Sequence, residues 1–302
     1  MADDWRAKFD AEVLFRNGGG LQVQDFRLDV GHDGMDDQDL AEALVRHLGL
    51  LMVESVRITR RTFLKEAHKG SRGTATSPGP RRLVELSHDI RHGMVTYPGL
   101  PGPEISVHLS REASREHYCQ GCEFHIGRIS LVANTGTYLD TPFHRYADGP
   151  DLARVELASL ADLEGVVVHL AGDGPRAIGS LAFAPFEVAG KAVLVHTGWD
   201  RHWGTDQYGS GHPFLTREAA EWLVAHRAAL VGIDALNIDD TGDGARPVHS
   251  ILLAAGIPVV EHLTGLEQLP AQGFRFHAAP PRIQGMGTFP VRAFAVVPGA
   301  QP

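Results

Sequence analysis

Seven short, β-rich apolar runs from residue 81 onward constrain this fold more than any other feature of the chain. They are "RRLVELSHDI", "RISLVAN", "GVVVHLA", "KAVLVHTG", "AALVGIDAL", "IPVVEHL" and "VRAFAVV". Runs of this length, rich in branched apolar residues and punctuated by Gly, Pro and Asp, read as strands. Two segments between them carry helical spacing, "TREAAEWLVAHR" and "VHSILLAAG". Pro247 opens the second at a permitted first-turn position, and Gly256 closes it. Strands mixed with helices make an α/β or α+β domain. No internal repeat and no low-complexity tract interrupts it.

A different unit precedes this one. "AEVLFR" and "LQVQDFRLDV" flank the "NGGG" turn as two strands, and "MDDQDLAEALVRHLGLL" follows with Leu40, Ala43, Leu44 and Leu48 at helical spacing. Acids at that helix's start suit its dipole. "VESVRITRRTFLKE" then alternates as a strand. The glycines lie between two strands, not between a strand and a helix, so a hairpin is favoured over a phosphate loop. The Gly/Ser/Thr/Pro-rich stretch 68–82 reads as a linker. The expected organisation is a small α+β module over 1–70, a linker over 71–82 and a larger domain over 83–302.

A net charge of −9 argues against a general affinity for nucleic acid or anionic membrane. The start "MADDWRAKFD" lacks signal-peptide character, and no apolar run approaches 18 residues. A cytoplasmic protein is expected. Cys119 and Cys122 form a lone CxxC. His117 and His125 could complete a zinc set, but two reduced thiols near a turn are the expectation.

The chemistry concentrates in "NTGTYLDTPFHRYADG", residues 134–149. Glycine and proline there demand a tightly turned backbone, and Asp140 and His144 are groups that hold a metal or move a proton. Asp140 in this turn, His249 in the first turn of the 247–255 helix and Glu261 in "IPVVEHL" are one imidazole and two carboxylates. That set suits one divalent ion such as Zn or Mn. The alternative is that each is a solvated or capping residue. His88, His92, His196, His202 and His212 carry no comparable motif and read as surface or hydrogen-bonded structural groups. "TGWDRHWGTDQYGSGHPFL", 197–215, is either a loop packed by its own Trp199 and Trp203 or an aromatic pocket wall. "QGMGTFPVRAF" reads as a turn entering the last strand, not as a nucleotide loop.

"TGTYLDTPFH" is similar to the HxGTHxDxPxH signature of the cyclase family that includes bacterial kynurenine formamidases and isatin hydrolases. "LVELSHDIRHGMVTYPGLP", "HTGWDRHW", "GID" at 232–234 and "RPVHSILLAAGIPVVEHL" extend the likeness from about 83 to 297. The last segment resembles the one whose His and Glu bind metal twelve residues apart, as His249 and Glu261 are spaced. The resemblance implies an α/β domain of the swivelling β/β/α kind, metal-dependent hydrolysis of an amide, lactam or lactone of a small aromatic or polyketide-like substrate, and a homo-oligomer, dimer or tetramer.

Two departures bear on the chemistry. The signature's histidines that help ligate a metal pair are replaced by Asn134 and Tyr138, while Asp140 matches the carboxylate ligand and His144 the catalytic histidine. An amide oxygen and a phenol are poor ligands at neutral pH. The expectation is one ion on Asp140, His249 and Glu261. The open alternative is a metal-free pocket in which Tyr138 and Asn134 donate to a substrate carbonyl and His144 moves the proton. That alternative leads to a metal-independent cyclase or lyase, and a further one to a non-catalytic binding or assembly protein.

Overall fold

The computed structural model describes residues 5–16, 18–50, 52–65, 81–172 and 174–299. The chain divides into two compact units, one within Met1–Thr76 and one within Ser77–Pro302. Residues 71–80 of the expected linker lie outside the described residues. Arg81 and Arg82 do not belong to a linker: they open the first strand of the second unit.

In the first unit β1 (Trp5–Phe15) lies between β2 (Gly20–Val30) and β3 (Val53–Lys65), all antiparallel. β1 begins six residues before the run that the sequence marks as strand, because charged Arg6, Lys8 and Asp10 alternate there with Ala7, Phe9 and Ala11. The second set is buried, with Val13, Val23, Leu28 and two residues of α1 (Asp37–Leu48), Leu40 and Leu44. Burial of each leucine contributes about 1.5–3 kcal/mol. Other side chains of these strands form ion pairs such as Arg60 with Asp10 at 3.0 Å. Asp36 caps α1 by accepting from Asp39 N at 2.8 Å, and Gly49 at φ 62° ends it. Gly18, at φ 80°, sits in the turn between β1 and β2, so the hairpin reading of the glycines stands.

The second unit is built on a nine-stranded sheet. Its strands are β4 (Arg81–Glu85), β7 (Tyr138–Asp140), β8 (Leu163–His169), β10 (Ala192–His196), β12 (Leu230–Ile233), β13 (Val259–Glu261), β14 (Gln272–His277), β15 (Thr288–Pro290) and β16 (Phe294–Pro298). The order is β15-β7-β13-β12-β10-β8-β14-β16-β4. The central four, β8, β10, β12 and β13, are parallel, and the flanking strands pair antiparallel. Val166, Val193, Val231 and Ile233 share one core with α3 (Arg217–Ala225) and α4 (Pro247–Ala254). Val167, Leu194, Leu230 and Val260 enter a second core with Phe274 and Leu263. A parallel centre covered on both faces accounts for the continuous, rather than alternating, apolar character of these runs.

Outside this sheet, β5 (Glu104–Leu109) pairs with β6 (Ile126–Ser130), and β9 (Ala177–Ile178) with β11 (Phe214–Leu215). Between β5 and β6, after the short helix α2 (Arg111–Ser114), a turn closed by Cys122 N to Cys119 O at 2.9 Å brings the two sulfurs together. They form a disulfide, which replaces the two reduced thiols expected from the sequence. "QGMGTFP" leads into β15 and not into the last strand, β16.

Candidate active site

The register of β7 against its neighbours assembles the site. Tyr138 faces Glu261 of β13, and Asp140 faces Thr288 of β15. Directly opposed residues of antiparallel strands project to the same face, as do residues two apart on one strand. Tyr138, Asp140, Glu261 and Thr288 therefore share one side of the sheet. α4 brings His249 to them.

Asp239, in the loop before α4, sets the His249 ring. Its carboxylate accepts from Val248 N at 2.7 Å and from His249 N at 3.0 Å, which satisfies the start of α4. The same carboxylate takes His249 Nδ1 at 2.7 Å. His249 Nε2 is thereby directed at Asp140 Oδ2 and Glu261 Oε1, both 3.5 Å away. Ligand atoms of Asp140, His249 and Glu261 all lie within 4.8 Å of one another, and all three residues are buried. Among the described residues this is the only such group of three or more His, Cys, Asp or Glu. The CxxC with His117 and His125 makes no second one.

Electrostatics follow from burial. Burial pushes Glu261 up to about 7, with Asp140 adding to the shift and His249 opposing it. Burial also disfavours charge on His249, but Glu261, Asp140 and Asp239 outweigh it and push the imidazole up to about 10. Burial and the two neighbouring carboxylates hold the Tyr138 phenol well above its ordinary value. Tyr138 therefore keeps its proton and donates it to Glu261 Oε2 at 2.6 Å. In this structure the one phenol proton of Tyr138 is directed to Glu261. Ile238 N supplies Glu261 Oε1 at 2.7 Å. Asp140 Oδ2 is buried and has no hydrogen-bond partner.

His144 ends the short turn Pro142–His144 that follows β7. Thr288 Oγ1 donates to Asp140 Oδ1 and lies 2.7 Å from His144 Nδ1. A hydroxyl has one proton, so with that proton on Asp140 the threonine accepts from His144 Nδ1–H. In the neutral ring Nε2 is then the nitrogen without a proton, on a side chain that is 37% exposed. Gly287 allows this turn to approach. Its carbonyl accepts Thr141 N at 2.7 Å, and a Cβ there would stand 2.3 Å from His144 N and 2.6 Å from His144 Cα. Gly287→Ala is expected to destabilise the fold by about 1–3 kcal/mol and to lower turnover through displacement of His144. Urea unfolding alongside kinetics checks this, and a variant unchanged in both would show that the contact relaxes without consequence.

His88, His92, His196, His202 and His212 make contacts outside the Asp140, His249 and Glu261 group. His212 is fully buried with Nε2 on the Asp239 carbonyl, His196 meets His169 at 2.8 Å, and His88 stacks on Trp203 at 4.0 Å between centroids. His92 accepts from Ile105 N, and His202 from Arg201. The 197–215 segment packs on itself, Trp199 Nε1 donating to Tyr208 O at 3.1 Å. The wall of the site comes from elsewhere. A cavity of about 480 Å³ opens over the group, bounded by Tyr97, Leu100, Asn134, Arg145 and Arg246.

An open cavity over a buried carboxylate–imidazole–carboxylate group, at the carboxyl ends of parallel strands, defines an α/β enzyme fold with a candidate metal centre. Residues 84–240 match the family described as "Putative cyclase". The kynurenine formamidase of Erythrobacter litoralis is 26% identical over 203 residues, 67% of this chain and 88% of its own. A crystal structure of an isatin hydrolase bound to the product analogue thioisatinate has a TM-score of 0.61 at 23% identity, covering 72% of this chain and 93% of that one. Isatin hydrolase A from Ralstonia solanacearum gives 0.61 at 22% identity, over 72% and 92%. The matched segment exceeds half of the sequence, and the chain belongs to the cyclase family. The relatives named are hydrolases, and the chain is an enzyme of that family; the first unit lies outside the matched residues.

Proposed function

We propose that this enzyme hydrolyses an amide, lactam or lactone of a small, aromatic or polyketide-like substrate with the help of one divalent ion, Zn or Mn, held by Asp140, His249 and Glu261. The observation that carries the reading is Asp140 Oδ2, a buried carboxylate oxygen without a hydrogen bond, 3.5 Å from His249 Nε2 and beside Glu261. Two carboxylates and one imidazole suit such an ion, and Asp239 behind the imidazole is the outer carboxylate that metal-binding histidines usually have. When bound, such an ion polarises a carbonyl and acidifies water.

The chain's own residues do the rest. His144 Nε2 accepts a proton from the attacking water, and the ring then returns it to the leaving group. Thr288 holds the ring's tautomer through Nδ1. Tyr138 orients Glu261, and Asn134 lines the cavity beside it. Asn134 and Tyr138 stand where the family signature has imidazoles, so the ligands for a second ion are missing. One equivalent of Zn or Mn per chain is the expected metal content of protein purified without chelator. Two equivalents would overturn the single-ion reading, and none after soaking in either metal would overturn metal dependence.

One observation favours a second reading. His249 Nε2 lies equally close to both carboxylates, as an imidazolium between two anions would. A metal-independent cyclase or lyase would use that pairing and keep His144 as acid and base. The same metal analysis separates the two, and absence of turnover on any such substrate would leave a binding or assembly role.

Apolar side chains exposed on the β5–β6 hairpin, Ile105, Val107, Ile126 and Ile129, support a homo-oligomer. A dimer or tetramer is expected in sedimentation velocity, and a monomer at micromolar concentration would refute it. Among the described residues no helix is long and apolar enough to cross a membrane.

A further inference from the structure

The floor of the site cavity is acidic, but its wall is cationic. Arg145 and Arg246 both line it, from the turn after β7 and from the residue before α4. Neither guanidinium has a carboxylate within ion-pair distance among the described residues. Asp243, the acid nearest Arg246 in sequence, accepts Ala245 N at 2.9 Å on its carboxylate, and Asp240 is paired with Arg176 at 3.2 Å and offers Arg246 its backbone carbonyl, at 3.1 Å. The Tyr97 hydroxyl, across the cavity wall, is 3.4 Å from the other terminal nitrogen of Arg246. Arg145 donates Nε to Ser250 Oγ at 3.3 Å, and its guanidinium lies 5.5 Å from the centroid of the Tyr146 ring.

The two side chains are thus oriented by neutral partners and have no ion pair among the described residues. Arg246 is held at a conformational cost as well. It is in the left-handed region at φ 45°, immediately before Pro247, where a residue with a Cβ is disfavoured. Strain of this kind persists only where surrounding structure enforces it. Arginine carries five donors in a planar fork, and a neutral carbonyl and a hydroxyl occupy a minority of those on Arg246.

We propose that Arg145 and Arg246 form an anion subsite, and that the substrate carries a carboxylate apart from the bond that is hydrolysed. This rests on the hydrolase reading above and deepens it: the substrate class is an anionic amide, lactam or lactone, and a neutral ester or amide of the same acid is discriminated against. Guanidinium pairs recognise carboxylates through charge-assisted, bidentate hydrogen bonds. The two buried carboxylates on the floor oppose an anion placed there without an ion present, so the guanidiniums on the wall are the groups that can hold it.

The test uses binding, so it does not depend on knowing the substrate. Benzoate, benzamide and phenyl phosphate are titrated into the full-length protein by ligand-detected NMR, before and after treatment with chelator. Benzoate is expected to bind at least about tenfold more tightly than benzamide, with the preference persisting after chelation. Arg246→Gln and Arg145→Gln should each remove most of that preference, and Arg246→Lys should restore part of it. Arg145 is exposed, so its variant reports even if Arg246→Gln fails to fold.

Equal binding of benzoate and benzamide would overturn the proposal. So would benzoate binding that disappears with chelator and ignores both arginines, because the anion would then sit on the ion. Tighter binding of phenyl phosphate than of benzoate would overturn the assignment to a carboxylate. A failure of the metal reading shows separately, as protein whose metal content is zero while the arginine-dependent preference stands.

Discussion

Asp140→Ala is expected to leave the protein without bound ion and to lower turnover about 10³-fold or more. The size follows from what the residue holds. An ion acting on a carbonyl supplies several kcal/mol of transition-state stabilisation, and each 1.36 kcal/mol is about a factor of ten in rate. Removing Asp140 leaves only His249 and Glu261 in the proposed ligand set. It also frees Thr288, whose hydroxyl is committed to Asp140 Oδ1 and to His144. Asp140→Asn keeps the shape and removes the charge, so it separates loss of the ion from loss of packing. Elemental analysis, circular dichroism and turnover on a panel of aryl amides, lactams and lactones would be measured together. A folded Asp140→Ala variant that retains a full equivalent of metal would remove Asp140 from the ligand set.

The second large effect is expected at His144. His144→Ala should reduce turnover about 10²- to 10⁴-fold, the range for loss of a positioned general acid and base. Metal content and thermal midpoint should change little, because the side chain is 37% exposed and is not in the proposed ligand set. Thr288→Val supplies a graded control. It leaves the ring but removes the group that fixes its tautomer, so its loss should be smaller. Thr288 also donates to Asp140 Oδ1, so the double variant should fall below His144→Ala only by what that second bond contributes. Undiminished activity in His144→Ala would place the proton transfer elsewhere.

Burial explains which parts of this protein could be read in one dimension. The central strands of the large sheet announce themselves because both of its faces are covered, so consecutive residues Val166–Val168 and Ala192–Val195 are all apolar. The start of the central strand of the first unit is less legible. "WRAKFD" carries three charges in six residues, and its strand pattern is visible only once Ala7 and Phe9 are seen to face the helix. The two cysteines gave no signal for their pairing, since spacing alone does not report how a turn directs two side chains.

The sequence by itself determined the strand and helix runs, the division into two units, and the motif that carries Asp140, His144, His249 and Glu261. Those properties are written within single segments: period, turn residues, and spacings within one motif such as Asp140 to His144 or His249 to Glu261. Only the tertiary structure decided what stands behind them. Thr288 reaches Asp140 across 148 residues of sequence, Tyr138 reaches Glu261 across 123, and Asp239 turns His249 through a loop that no periodicity marks. Each of these contacts depends on strand register or on a helix start, and a one-residue slip of β7 would turn Asp140 and Tyr138 to the opposite face of the sheet. The same holds for Gly287, whose missing side chain matters only because the backbone of His144 comes to lie against it.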